Sequence, residues 1–550
     1  MTDEREDLPR EFDLTVIGTG LTESIVAAAA SRVGKTVLHL DVNEYYGSYW
    51  ASFNLKNLQG LREECSGGEQ QQEMLESNGV QLWRHSNQVQ NVQMQWHVPE
   101  QCDAEAETTT GWSKERIMRD SHKFNIDLAP KLLFARGAMV ELLISSNICR
   151  YAEFRSVDRI ATLYDGQIKT VPCSRADVFN TKEVSMVEKR ILMKMLETCM
   201  QCEEGNEEFE YNRENTFRQF LETKHLPPKL IHYLLDAISM SNVHTSFEKG
   251  LHRVRRFIES LGRYGNTPFL FPMYGCGELP QCFCRLCAVF GGIYCLRRPI
   301  ERITLQSDTP GSSGRRLAME IGQQGSIQTD NIVFGSGTIS ITGEYQNRSC
   351  LAGLPEMIAP RKCGNMSRGI FLVDAPLGGA ADNTGGGGVA LLKLPPATDT
   401  PADKQGAFVI QLSHYSGTCP PGVFVIHITC DADIDPRLDL QPYVDQLLST
   451  YESDVDEATT APPEPTDAPA EAPSRAAKKP RILFSLYFTI PQCYKCDNYD
   501  KLPDGVHLAC GPYLELDYDT SIQQGRELFH KIYPDEEFLP RCPEPEEIVF

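Results

Sequence analysis

Three groups of residues have the types and spacings that chemistry uses. The first is Gly18-x-Gly20 with Glu23 and, 21 residues after Gly20, Asp41. In a dinucleotide-binding unit the first glycine makes the tight turn and the second lets the backbone approach the pyrophosphate. A third lets helix and strand pack closely, and an acid ending the second strand takes the ribose hydroxyl. Gly18, Gly20 and Asp41 fit that pattern, but Glu23 stands where the third glycine belongs. It adds bulk, and it puts a carboxylate in the first helical turn, where a phosphate would sit. Two unit charges 4 Å apart repel by about 4 kcal/mol at an effective dielectric of 20. An acid at a helix N-terminus is itself stabilising by about 0.3–1 kcal/mol, so Glu23 can take the dipole a cofactor would have used. Two readings stay open on these residues: a flavin or nicotinamide site, or a degenerate fingerprint kept for the fold it makes.

The second group is Cys199-x-x-Cys202, Cys284-x-x-Cys287 and Cys493-x-x-Cys496. None has a second such pair or a His pair beside it at finger spacing, so buried thiols are expected and no metal site. The 19 cysteines of the chain read as cytosolic thiols with no disulfide frame. The third group is the 12 histidines, which are scattered. They form no HExxH, and the chain has no GxSxG, Walker loop or recognisable carboxylate pair. Catalysis by residues of this chain is therefore weakly supported.

The elements that must position these residues are legible in the periodicity. Residues 10–60 read as a βαβ-like opening: an apolar strand from Leu14 to Ile17, an Ala-rich helix, and a second strand ending at Asp41. Residues 62–115 are rich in Gln, Glu, Ser and Thr and read as a polar insert, with room for a strand at Val80 to Trp83. Leu132, Leu133, Met139, Leu142 and Leu143 have helical spacing, and "IATLYDGQIKTV" alternates around Asp165-Gly166 as a hairpin does. Residues 174–242 are helical in pattern, and Pro227-Pro228 interrupts the run. "EVSMVEKRILMKMLETCMQC" holds four methionines between Met186 and Met200 and is apolar round most of its circumference. The helix in "FEKGLHRVRRFIESLGRYG" is expected to stop at Gly262 or Gly265. Residues 375–406 and 453–480 read as flexible insertions. "GVFVIHITC" and "RILFSLYFTI" could pair as a hairpin across the second of these.

Bulk properties narrow the function classes. Five hundred and fifty residues with 41% hydrophobic content predict more than one domain with a large core. A net charge of −22 disfavours non-specific binding to nucleic acid or anionic membranes. The acidic, polar start predicts no secretory leader, no run reaches the length of a membrane span, and the Glu-Ile-Val-Phe end lacks a prenylation cysteine. The expectation is a cytosolic protein.

Several long blocks carry a resemblance: "VIGTGLTESI" through "NEYYGSYWASF", "NIDLAPKLLFARGAMVELLISSNICRYAEF", "RYGNTPFLFPMYGCGELPQCFCRLCAVFGGIYCLRRPIERI", and return strands near 408–428. Together they resemble the Rab escort protein and Rab GDP-dissociation inhibitor superfamily. The insert after the opening unit and "SRADVFNTKEVSMVEKRILMKML" resemble the escort branch.

That resemblance implies an α/β chain: a large FAD-binding-like, multi-sheet domain with a small all-helical domain inserted. The division it suggests is 1–171, helical 172–243, and 244–550. It implies no bound flavin, in keeping with Glu23, and no enzyme activity. Tyr46, Glu278 and Arg285 match a platform for GDP-bound Rab GTPases, with Ile293 and Cys295 departing from the inhibitors' Thr and Met. "RYGNTPFLFP" matches a Rab-contacting loop, and 145–154 lies where relatives catch the Rab tail. Phe179 and Arg190 match the surface that docks the α subunit of the Rab geranylgeranyl transferase heterodimer. The implied protein presents Rabs for prenylation, shelters the geranylgeranyl lipid and associates with membranes transiently. The methionine-rich helix would line the lipid site or simply pack the core. The inhibitor branch and an FAD-dependent oxidoreductase are the alternatives.

Overall fold

The computed structural model describes residues 8–41, 43–66, 89–101, 111–173, 184–298, 302–305, 317–321, 326–335, 351–352, 364–378, 388–396, 406–450, 479–492 and 504–541. The opening unit folds as its pattern predicts. Strand β1 (Glu11–Ile17) leads through Gly18 into helix α1 (Leu21–Arg32) and strand β2 (Val37–Leu40), parallel to β1. Every residue of α1 from Leu21 to Ser31 is buried, because the helices Glu278–Val289 and Asp519–Ile532 pack on it from either side. Alanines at 27–30 add little bulk where these helices pack on α1, and Gly525 faces Ile25 where a side chain would crowd it.

The first sheet runs in the order Ile293–Cys295, β2, β1, Ser326–Phe334, Leu317–Glu320, Arg302–Leu305, Leu351–Ala352. Val506–Leu508 lies parallel to the end of Ser326–Phe334. The second sheet runs Gln90–Trp96, Ile482–Gln492, Gly364–Val373, Phe424–Asp431, Ala407–Leu412, Ala390–Leu394, Arg159–Tyr164, Gln167–Thr170. Its last two strands are the expected hairpin, and Asp165 and Gly166 both take the left-handed conformation that a tight turn of this kind requires.

Four expectations are corrected. Leu132 and Leu133 do not belong to the helix of Met139, Leu142 and Leu143: Leu133–Phe134 is a short strand paired with Leu270 and Phe269, and the helix is Ala138–Ser145. The runs 424–431 and 482–492 do not pair with each other. Gly364–Val373 lies between them and bonds to both. This ten-residue strand is buried over its last eight positions, and so must be paired on both edges. The stretch 375–406 is not wholly a flexible insertion, because Ala390–Leu394 inside it is a fully buried strand of the second sheet. Within the polar insert 62–115, Gln90–Trp96 forms the edge strand of that sheet, and a short helix, Lys114–Arg119, starts at the end of the insert. The strand expected at 80–83 lies outside the described residues.

A helical layer follows the hairpin. Helix α2 (Met186–Gln201) starts at a capping box: Ser185 Oγ accepts the Glu188 N–H at 3.3 Å, and the Glu188 carboxylate accepts the Ser185 N–H at 2.8 Å. Those bonds hold the Glu188 carboxyl below its ordinary range. Only Lys189, Leu192, Met195 and Cys199 of α2 are buried, so its apolar residues are divided between the core and the surface. Pro228 opens Pro228–His232, which runs on as a π-helical turn, Tyr233–Ile238. Helix α3 (Phe247–Ser260) packs on α2 and on Phe217–Thr223, and Gly262 follows its end with φ +74°. The layer is pinned to the second sheet by His232, whose Nδ1 meets Asp236 at 2.8 Å and whose Nε2 meets Thr162 at 2.9 Å.

A buried polar hub joins the parts. Arg368, fully buried on the central strand of the second sheet, donates to the carbonyls of Leu128 and Ile428 at 2.9 and 3.0 Å and to Thr429 Oγ1. Burial lowers its guanidinium to about 9. Asp127 accepts from Ser52 Oγ at 2.5 Å and from the Cys276 N–H at 2.8 Å, and burial raises its carboxyl to about 6. Lys131 donates to the Tyr513 carbonyl at 2.6 Å and to that of Glu515, and burial lowers its ammonium to about 8. Sequence reading found none of these three.

His39, buried on β2, bonds the Gly18 carbonyl through Nε2 at 2.6 Å, and burial lowers its pKa from 6.5 to about 4. The unfolded chain therefore binds the extra proton between those values. The stability due to neutral His39 is complete above pH 6.5 and lost as pH falls through 4. His39→Gln, which can still donate but does not titrate, is expected to differ most from the native protein at pH 7. The gap should close by roughly 1.4 kcal/mol per pH unit below 6.5, measured by denaturant unfolding from pH 7 to 4.5. A gap independent of pH would refute the buried neutral imidazole.

Candidate functional site

The nucleotide-type turn is built for the protein itself. Asp41 Oδ2 accepts from the Thr19 N–H at 2.9 Å and the Thr19 hydroxyl at 2.6 Å. Its Oδ1 accepts from the N–H and side-chain amide of Asn43 at 2.9 and 2.7 Å. Both oxygens of the presumed ribose acid thus hold the turn and the chain leaving β2. Thr19 in turn accepts the Gly47 N–H, on its carbonyl at 3.1 Å and its hydroxyl at 3.0 Å. Gly47 has φ +102°, which a glycine adopts without strain. The old turn therefore fixes "NEYYG", and with it Tyr46.

Glu23 is buried and its carboxylate folds back over the glycines. A Cβ on Gly20 would lie 2.6 Å from Glu23 Oε2, and one on Gly335, at the end of the next strand, would come closer still. The space where backbone meets pyrophosphate in a working fingerprint is filled by this side chain. The residues present do not fit a dinucleotide.

The three residues that the resemblance matches to a platform do converge. Tyr46, Glu278 and Arg285 line one open cleft of about 350 Å³, together with Tyr151, Gln281 and Ala288. Helix α4 (Glu278–Val289) supplies most of it, and 278, 281, 285 and 288 fall on one helical face. Glu278 opens the helix, half-buried, and burial raises its carboxyl. The Arg285 guanidinium lies 4.4 Å from the centroid of the Tyr151 ring. Tyr46 meets Tyr294 edge-on at 6.1 Å, and burial raises its phenol. Ile293 and Cys295 flank Tyr294 on the half-buried edge strand of the first sheet. Tyr151, Gln281 and Ala288 were not singled out from sequence. For the last two, helical spacing from Glu278 was the available signal.

The start of α4 is set by the hub. The Gly277 N–H donates to Ser52 Oγ at 2.9 Å, beside the Cys276 bond to Asp127. A Cβ on Gly275, whose φ is +106°, would lie 2.6 Å from Ser52 Oγ and 2.7 Å from Asp127 Oδ1. "YGCGELPQ" has its glycines because the half-buried Ser52 and the buried Asp127 side chain pass there.

Arg190 is exposed on the first turns of α2, with Met186 and Val187 beside it at 60% and 66% exposure. Phe179 lies outside the described residues. In "RYGNTPFLFP", Arg263 pairs with Glu141, Tyr264 is half-exposed, and Phe269–Pro272 is a buried strand. Cys199, Cys202, Cys284 and Cys287 are buried free thiols. Among the described residues no three His, Cys, Asp or Glu side chains are grouped to hold a metal ion, and no helix is long and apolar enough to cross a membrane.

Comparison with known proteins identifies the family and the fold. The family model described as GDP dissociation inhibitor matches residues 8–79 and 107–341, and that of RAE1/2 domain I, C-terminal region, matches 366–514. The chain is 42% identical to the Rab proteins geranylgeranyltransferase component A of Drosophila melanogaster, covering 99% of this chain and 93% of that one. It is 32% identical to component A 1 of Homo sapiens, covering 99% and 94%. It is 24% identical to guanosine nucleotide diphosphate dissociation inhibitor 1 of Arabidopsis thaliana over 80% and 84%. The crystal structure of a Rab GDI from Plasmodium falciparum shares the fold, with a TM-score of 0.62 at 14% identity, covering 96% of this chain and all of the other. The chain belongs to the GDP dissociation inhibitor family, in its Rab escort protein branch. The large multi-sheet α/β domain and its helical layer are the fold of that family.

The filled turn has a direct test. Gly335→Ala is expected to destabilise the protein by about 1–3 kcal/mol through overpacking, and Glu23→Gly in the same chain should restore at least half of that loss. Additive effects in a double-mutant cycle of denaturant midpoints would show that Glu23 does not occupy the space.

Proposed function

We propose that this protein is a non-catalytic escort for Rab GTPases. It binds newly made GDP-bound Rab, offers the Rab's C-terminal cysteines to Rab geranylgeranyl transferase, and then shields the lipids until delivery to a membrane. The observation that carries this reading is the convergence of Tyr46, Glu278 and Arg285 on one cleft, above a nucleotide turn that Glu23 fills. Tyrosine and arginine are residue types enriched in protein-binding hot spots, and Arg285 stands on one helix face with Glu278. The names of the relatives support the assignment of the partners.

The transferase supplies zinc and catalysis. This chain raises the effective concentration of the Rab tail at the active site and offers apolar surface to the prenyl chains, whose burial contributes roughly 0.8 kcal/mol per CH₂. Met186, Val187 and Arg190 present an exposed apolar and cationic patch at the start of α2, which suits docking of the transferase α subunit together with Phe179. The same reading places the protein in the cytosol, transiently at membranes, with no flavin bound.

The alternative within the family is a GDP-dissociation inhibitor that recycles prenylated Rabs without the transferase. Arg190→Glu separates the two. It is expected to lower Rab prenylation in vitro at least tenfold while leaving the affinity for GDP-bound Rab within about twofold, as for a charged hot-spot residue outside the Rab platform. Native protein that supports no prenylation would leave the inhibitor reading. A flavin absorbance band in protein purified under mild conditions would overturn both.

A further inference from the structure

The cleft continues into a second aromatic surface. Residues 151–155 run from Tyr151, at the cleft wall, to Arg155, whose guanidinium lies 5.0 Å from the centroid of the Tyr415 ring. Tyr415 is 50% exposed, and Tyr274 is 51% exposed. The two loops that carry them are joined, because the Tyr274 N–H donates to the Ser416 carbonyl at 2.9 Å and the Met273 N–H to the Glu153 carbonyl at 2.8 Å.

Two features set these tyrosines apart from incidental surface aromatics. Tyr274 has φ +68°, a left-handed conformation that a large side chain adopts only when its surroundings impose it. Gly417 makes room for its ring: a Cβ there would lie 2.6 Å from Tyr274 Cδ1. The loop carrying Tyr415 is also cross-braced by hydrogen bonds. Ser416 Oγ donates to the Ser413 carbonyl at 2.7 Å and meets the Thr418 hydroxyl at 2.8 Å, and the Asn125 side chain donates to the Gly417 carbonyl at 2.7 Å. A left-handed backbone and a hydrogen-bonded loop hold the two half-exposed phenols in place. Preorganised aromatics lose little freedom on binding.

We infer that Tyr274 and Tyr415 extend the platform and contact the same GDP-bound Rab GTPase that docks on Tyr46, Glu278 and Arg285. This rests on the platform reading above. The span supports it, since residues 151 to 155, even fully extended, cover at most about 14 Å. An ordinary interface of about 800 Å² per partner is roughly twice as wide, so a globular partner that covers the cleft and is centred toward Arg155 reaches both tyrosines. Arg155 beside Tyr415 and Arg285 over Tyr151 give the strip a repeated cation–aromatic character, which favours an acceptor-rich partner surface.

The test measures the affinity of the full-length protein for a purified GDP-loaded Rab with four variants: Tyr46→Ala, Tyr415→Ala, Tyr415→Phe and Tyr274→Gly. Tyr415→Ala and Tyr274→Gly are expected to weaken binding roughly tenfold each, the loss typical of an interface aromatic, and Tyr415→Phe by less than about threefold. Tyr274→Gly should leave the melting temperature unchanged or raised, because glycine relieves the left-handed strain. Loss of binding without loss of stability is the result a merely structural tyrosine would not give. If Tyr46→Ala weakens binding and neither Tyr274→Gly nor Tyr415→Ala does, the extension is wrong and the platform stands. If Tyr46→Ala binds normally, the platform reading falls and the extension with it.

Discussion

The arrangement turns on one buried carboxylate. Asp127 lies where three parts of the chain cross: the segment after the opening unit, the turn before α4, and the central strand of the second sheet that carries Arg368. An isolated charge at such a place would be strongly destabilising, and this one is held by Ser52 Oγ, the Cys276 N–H and the field of Arg368. A network of this kind contributes little net stability against an apolar replacement. What it supplies is register. Each donor has one position in which it reaches its acceptor, so the origin of α4 is set to within a hydrogen bond, and the cleft residues inherit that precision. The left-handed Gly275 and the close-packed Gly277 are the backbone's accommodation to it.

The nucleotide turn shows a second kind of economy. A fingerprint loop presents a ring of backbone donors, and something must satisfy them whether or not a cofactor is bound. Here Asp41 takes the Thr19 N–H, and Thr19 passes the constraint to Gly47. Glu23 fills the volume. The fold's most recognisable feature has become a scaffold joint, and the residues that once read as cofactor ligands now position Tyr46.

Much of this was legible in the sequence where the signal is local. The βαβ opening, the Asp165-Gly166 hairpin, the end of α3 near Gly262 and the break at Pro227-Pro228 follow from periodicity and turn chemistry. Non-local pairing was not legible. Gly364–Val373 contains Arg368 and two glycines, which weaken its reading as a central strand, although the structure surrounds that arginine with carbonyls. Ala390–Leu394 follows a glycine tract that masks it. Asp127 and Lys131 look like solvated charges in "NIDLAPK", since nothing in their neighbours along the chain announces that Ser52, Cys276 and Tyr513 will close over them. For the site, family motifs singled out Tyr46, Glu278 and Arg285, but only coordinates bring Tyr151 to the same cleft, because its partner Arg285 is 134 positions away.

Arg285 over Tyr151 has a consequence for discrimination. A guanidinium lying over a ring keeps its donor edge clear of that ring and fixes the plane in which its N–H groups point. An acceptor must approach in that plane to take two bonds at once. As the proposed Rab platform, the cleft would therefore measure the orientation of what it meets as well as its charge. A lysine at 285 would keep the attraction and lose the angular test, turning a selective contact into a permissive one.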